Sequence, residues 1–97
     1  MIMLFYADYG LTDEDIKEIE EYLSDEDINN YYVSELRVAE ILDYLKSLGI
    51  KNIKDILMYK SNIFYESVNT IKKNIPNDKI IIELINEDYQ NLDRLGY

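Results

Sequence analysis

The stretch Leu11-Thr12-Asp13-Glu14-Asp15-Ile16-Lys17-Glu18-Ile19-Glu20-Glu21-Tyr22-Leu23-Ser24-Asp25-Glu26-Asp27-Ile28 states one phrase twice. Its first six residues return twelve positions later, with Ser24 in place of Thr12. Each copy has the form of a helix start. Thr12 can accept from first-turn amides, and Asp15, three residues on, can bond back to complete a capping box. Leu11 and Ile16 bracket that cap as a hydrophobic staple, and Ser24, Asp27, Leu23 and Ile28 repeat all four roles. Acids in a first turn also suit the positive end of the helix dipole, each by about 0.3–1 kcal/mol. Glu18, Glu20 and Glu21 lie beyond that turn and have no such explanation. The doubled phrase makes the chain helical first and acidic second.

Working outward, the first copy predicts a helix over 13–23 with Ile16, Ile19, Tyr22 and Leu23 facing inward. The second predicts only a short turn, because Asn29-Asn30 and Tyr31-Tyr32 interrupt the apolar period. A longer helix follows Ser34, where Val38, Ile41, Leu42, Leu45 and Leu48 step by three and four. Gly49 is placed to end it, with Ile50 against Leu45 in a Schellman arrangement. Asn52 then caps a short helix carrying Ile53, Ile56 and Leu57, which Ser61-Asn62 breaks. Another helix is expected from about Phe64 to Asn74, using Val68, Ile71 and Ile75 and stopped by Pro76. The segment 78–94 can form one helix burying Ile81, Leu84, Ile85, Tyr89 and Leu92. Its β-branched run Ile80-Ile81-Ile82 leaves an alternative, a minor two-stranded sheet pairing residues 2–6 with 79–85. The expected fold class is mainly α: a single small helical domain, 1–97, of about five short helices.

Composition narrows the function. The chain has 97 residues, a net charge of −10, no cysteine and no histidine. Disulfides, thiolate metal sites and cysteine nucleophiles are thereby excluded, as are the usual general base and the commonest metal ligand. An enzyme is not expected. The apolar start, Met1–Tyr6, is too short to span a bilayer and lacks the basic region of a secretory signal, so a cytoplasmic location is expected. Fifteen isoleucines and nine asparagines against two alanines suggest an AT-rich coding genome, such as that of a low-GC bacterium or its phages.

Residues 34–75 carry a more specific pattern. Ile41-Leu42-Asp43-Tyr44-Leu45-Lys46-Ser47-Leu48-Gly49-Ile50 leads into Ile53-Lys54-Asp55-Ile56-Leu57, then Ser61-Asn62-Ile63-Phe64, Ser67-Val68 and Ile71. This run resembles one helical repeat of the mitochondrial transcription termination factor family and its small bacterial look-alikes. The resemblance implies a stack of short helices and a nucleic-acid-binding role for residues 44–75. Ser61 stands where the family pattern has proline, and the flanks here are acidic where the family groove is basic.

Charge divides the chain. Residues 1–43 carry thirteen acids and two bases, while 44–75 carry six bases and two acids. The Asp-Glu-Asp triplets do not make calcium loops, because the sixth position, which needs glycine, is Glu18 counting from Asp13 and Asn30 counting from Asp25. No metal or cofactor is expected. The lysines 46, 51, 54, 60, 72 and 73 could touch phosphates, with Tyr59, Phe64 and Tyr65 for stacking, but most of the surface would repel nucleic acid. Direct nucleic-acid binding is therefore not expected, and pairing of these lysines with the acidic helix is their alternative use. The leading expectation is a non-enzymatic module presenting Asp13, Glu14, Glu18, Glu21, Asp25, Glu26 and Asp27, flanked by Tyr31 or Tyr32, to a basic protein partner. In size and charge it resembles the small acidic inhibitors, anti-CRISPR-like, that phages and mobile elements direct at host defence nucleases as nucleic-acid mimics. A homodimer sealed by Met1–Tyr6 is a further expectation.

Overall fold

The structure, a computed structural model, describes residues 8–97. All its regular elements are helical: α1 (Asp13–Tyr22), α2 (Asp25–Val33), α3 (Glu35–Ser47), α4 (Ile53–Tyr59), α5 (Val68–Asn74) and α6 (Lys79–Glu87). Two 3-10 segments, Ser61–Tyr65 and Tyr89–Leu95, follow α4 and α6. They enclose one apolar core centred on Ile19, Tyr31, Val38, Ile41, Leu42, Leu45, Ile56, Leu57 and Phe64. Among the described residues no helix is long and apolar enough to cross a membrane.

The two acidic phrases both start helices, but they are bonded differently. In α1 the box is complete: the Asp15 amide donates to Thr12 Oγ1 at 3.1 Å and the Thr12 amide to Asp15 Oδ2 at 3.0 Å. In α2 the Asp27 amide donates to Ser24 Oγ at 3.2 Å. The Asp27 carboxylate does not return to the cap. It accepts instead from Ser61 Oγ and the Tyr65 hydroxyl, 34 and 38 residues along the chain.

The short turn expected after Ser24 is in fact a nine-residue helix, with Asn30 and Tyr31 buried. The reason is tertiary. Asn30 Nδ2 donates to the Phe64 carbonyl at 3.1 Å, and Arg37 donates to Asn30 Oδ1 at 2.7 Å. Tyr31 donates to the Leu57 carbonyl at 2.7 Å, one of the four that α4 leaves unpaired at its C-terminus. A polar pair thus takes the inward positions that an apolar period would have marked.

Helix α3 ends as its sequence predicts. Gly49, at φ +86°, follows the last turn, the Ile50 amide bonds the Leu45 carbonyl, and the Gly49 amide bonds that of Lys46, which is the Schellman pattern. Asn52 precedes α4 but does not cap it; its Nδ2 donates to the Ile85 carbonyl. Asn86 completes the seam, accepting from the Lys51 amide and donating to the Gly49 carbonyl. Helix α5 starts at Val68 rather than near Phe64, because Ser67 caps it through the Thr70 amide.

Residues 79–87 are helix, so the sheet alternative fails on that side, and its other side, 2–6, lies outside the described residues. Asp78 accepts from the Ile80 and Ile81 amides, and this cap, with Ile85 buried, outweighs the β preference of the isoleucines. The single helix expected over 78–94 breaks at Asp88, which is extended and caps the Gln90 amide. Asn91 Nδ2 then donates to the Leu84 carbonyl, and Leu92 turns into the core.

Candidate functional site

Contacts along α1 and α4 run in the same order. Lys54 pairs with Asp15 at 3.1 Å and Glu18 at 2.8 Å, and further along Tyr22 meets Tyr59. The two helices therefore lie side by side and roughly parallel. Their shared lysine sorts the acidic surface. Asp15 is held below the ordinary carboxylate range, first by the Thr12 amide and then by Lys54. Lys54 is in turn raised, most by Glu18 and then by Asp15.

Three of the expected partner-binding residues are thus occupied within the fold: Glu18 shares Lys54 with Asp15, Tyr32 donates to Glu20 at 3.1 Å, and Asp27 holds Ser61 and Tyr65. Asp13, Glu14, Glu21, Asp25 and Glu26 are exposed and have no bonded side-chain partner among the described residues. Tyr31 corrects the sequence expectation: at 0 % exposure it belongs to the core, edge-on to Phe64, and presents nothing outward. Tyr32 is half-buried. The proposed dimer arm, Met1–Tyr6, lies outside the described residues.

Phenols do much of the work that ammonium groups do elsewhere. Tyr9 donates to Asp43 at 2.5 Å, Tyr32 to Glu20 at 3.1 Å, Tyr65 to Asp27 at 2.7 Å and Tyr97 to Glu66 at 2.6 Å. Each of these tyrosines is shifted upward. The bond to Asp27 pushes Tyr65 up to about 12, and burial followed by the Glu20 bond takes Tyr32 to about 12. Burial and then the carboxylate bond raise Tyr9 and Tyr97 in the same direction. Because the folded state holds the phenols neutral, their contribution is whole below their ordinary pKa of about 10 and is lost as pH rises through the folded values. Urea midpoints are therefore expected to fall between pH 9 and pH 12, and Tyr65→Phe should flatten that fall. An unchanged alkaline slope in the variant would contradict the assignment.

The lysines of the basic section are mostly committed. Lys54 is paired as above, and Lys60 binds Asp93 and the Tyr97 carbonyl. Lys46 lies 5.8 Å from the Tyr9 ring centroid and bonds the Asp8 carbonyl, and Lys72 lies 5.7 Å from that of Tyr44. Lys51 and Lys73 are exposed, with no bonded side-chain partner among the described residues.

A feature that sequence reading missed lies at the end of α1. Tyr22, expected to face inward, is 57 % exposed and meets Tyr59 edge-on at 5.0 Å between ring centroids. Tyr59, 42 % exposed, stacks on Tyr89 at 5.1 Å. The three rings form a row from the ends of α1 and α4 to the start of the last 3-10 segment. Their sequence separations, 37 and 30 residues, gave no sign of it. Among the described residues no group of three or more carboxylates converges to hold a metal. Comparison with protein-family profiles, curated proteins and solved structures gives no match to this chain.

Proposed function

We propose that this chain is a non-enzymatic acidic interaction module that sets the outer surface of α1 and the start of α2 against a basic protein partner. In its strongest form the module occupies a partner's nucleic-acid-binding surface, such as that of a defence nuclease, with carboxylates standing in for phosphates. The observation that carries this reading is the set Asp13, Glu14, Glu21, Asp25 and Glu26, exposed and without a bonded side-chain partner among the described residues, where the neighbouring acids are tied into the fold. A one-signed surface of this kind steers a basic partner and weakens with salt. The competing reading, nucleic-acid binding through residues 44–75, draws less support. Four of the six lysines it needs are engaged within the protein.

The test uses the unbonded acids and leaves the structural ones alone. Glu14→Lys, Glu21→Lys and Glu26→Lys are combined, and capture of basic proteins from a low-GC bacterial lysate is compared with the parent at equal salt. Capture of a partner that duplex DNA displaces is expected to drop by at least about tenfold. Undiminished capture by a folded triple variant would refute the proposal.

A further inference from the structure

The tyrosine row differs from every other patterned set of tyrosines in the molecule. Tyr9, Tyr32, Tyr65 and Tyr97 spend their hydroxyls on carboxylates, and Tyr9 and Tyr44 each carry a lysine near the ring. Among the described residues Tyr22, Tyr59 and Tyr89 have neither a bonded hydroxyl nor a cation over the ring. Yet their surroundings are strongly anionic. Tyr22 and Tyr59 are the last residues of α1 and α4, neither of which has a base in its last turn, so the negative ends of two helix dipoles meet at the row. Glu21, exposed, adjoins Tyr22 on α1, Asp55 stands one turn before Tyr59 on α4, and Asp88 adjoins Tyr89. Of the nearby lysines, Lys54 and Lys60 are already held by Glu18 and Asp93, and Lys17, exposed on α1, lies five residues before Tyr22.

We infer that this row docks an arginine-bearing segment of the partner protein, the guanidinium stacking on the exposed ring of Tyr22 or Tyr59. The inference rests on the acidic-module reading and adds a preference that charge alone does not supply. Carboxylates attract lysine and arginine alike. A planar, weakly hydrated guanidinium gains more from an aromatic face than a compact ammonium does. The rings are set against one another before any partner arrives, so little side-chain freedom is lost on binding. Edge-to-face and stacked contacts hold all three in register.

The experiment compares two synthetic nonapeptides, identical except that three arginines in one are lysines in the other. Each is titrated calorimetrically into the full chain at low salt. The arginine peptide is expected to bind about three- to tenfold more tightly. Tyr22→Ser, at the most exposed position of the row, should bring the arginine peptide down to the lysine level and leave the lysine peptide unchanged. Tyr22→Phe should keep the preference. Equal binding of the two peptides by the parent, or a preference untouched in Tyr22→Ser, overturns the inference. Failure of the underlying reading would look different: the Glu14, Glu21 and Glu26 triple variant would then bind the lysine peptide as well as the parent does.

Discussion

Tyr31→Ala is expected to unfold the protein or bring it close to unfolding. The side chain is wholly buried, packs edge-on to Phe64 with ring centroids 5.4 Å apart, and reaches the Leu57 carbonyl. Removing a buried ring of this size costs about 3–5 kcal/mol, through lost burial and the cavity left behind. A domain of this kind has about 5–15 kcal/mol in total. Tyr31→Phe separates the two contributions. It keeps the ring and leaves the α4 carbonyl without its donor, for a loss of about 1–3 kcal/mol. Urea unfolding of both variants checks the order. If Tyr31 were a surface residue, both changes would fall within about 0.5 kcal/mol of the parent.

Asn30→Leu carries the second large effect. The amide joins two elements at once, donating to Phe64 in the 3-10 segment and accepting from Arg37 on α3. The guanidinium has no other acceptor among the described residues, and its Nε is buried without one. Leucine fills much the same volume but orphans a carbonyl and a partly buried cation, at a cost of about 2–4 kcal/mol. The double variant with Arg37→Met should recover a good part of that loss, since it removes the stranded charge along with its acceptor. Simple additivity of the two single changes in urea unfolding would show that the bond has no special weight.

These two residues also mark where sequence reading stopped. Thr12, Ser24 and Gly49 were legible because a cap or a C-terminal glycine acts on amides and carbonyls a few residues away. Helix α3 was legible because its inward residues are apolar. Asn30 and Tyr31 failed both tests: they are polar, and their partners lie 34 and 26 residues off. The break at Asp88 did have a local signal, an aspartate placed to cap the next turn, but the apolar spacing through Tyr89 and Leu92 concealed it. The candidate site was half legible. The acidic face was plain, whereas its division into tied and untied carboxylates depends on Lys54, Ser61 and Tyr65 arriving from later in the chain. That Tyr22 turns outward to join Tyr59 could not be read from spacing at all.

The four tyrosine-to-carboxylate bonds have a wider consequence. An ammonium that immobilises a carboxylate also cancels it, so an ordinary salt bridge trades outward potential for order. A phenol carries no charge to give. Asp27, held by Tyr65 and Ser61, is fixed in position with its full negative charge still felt outside the protein. Asp43, Glu20 and Glu66 are held in the same way, so these four carboxylates gain order without giving up charge.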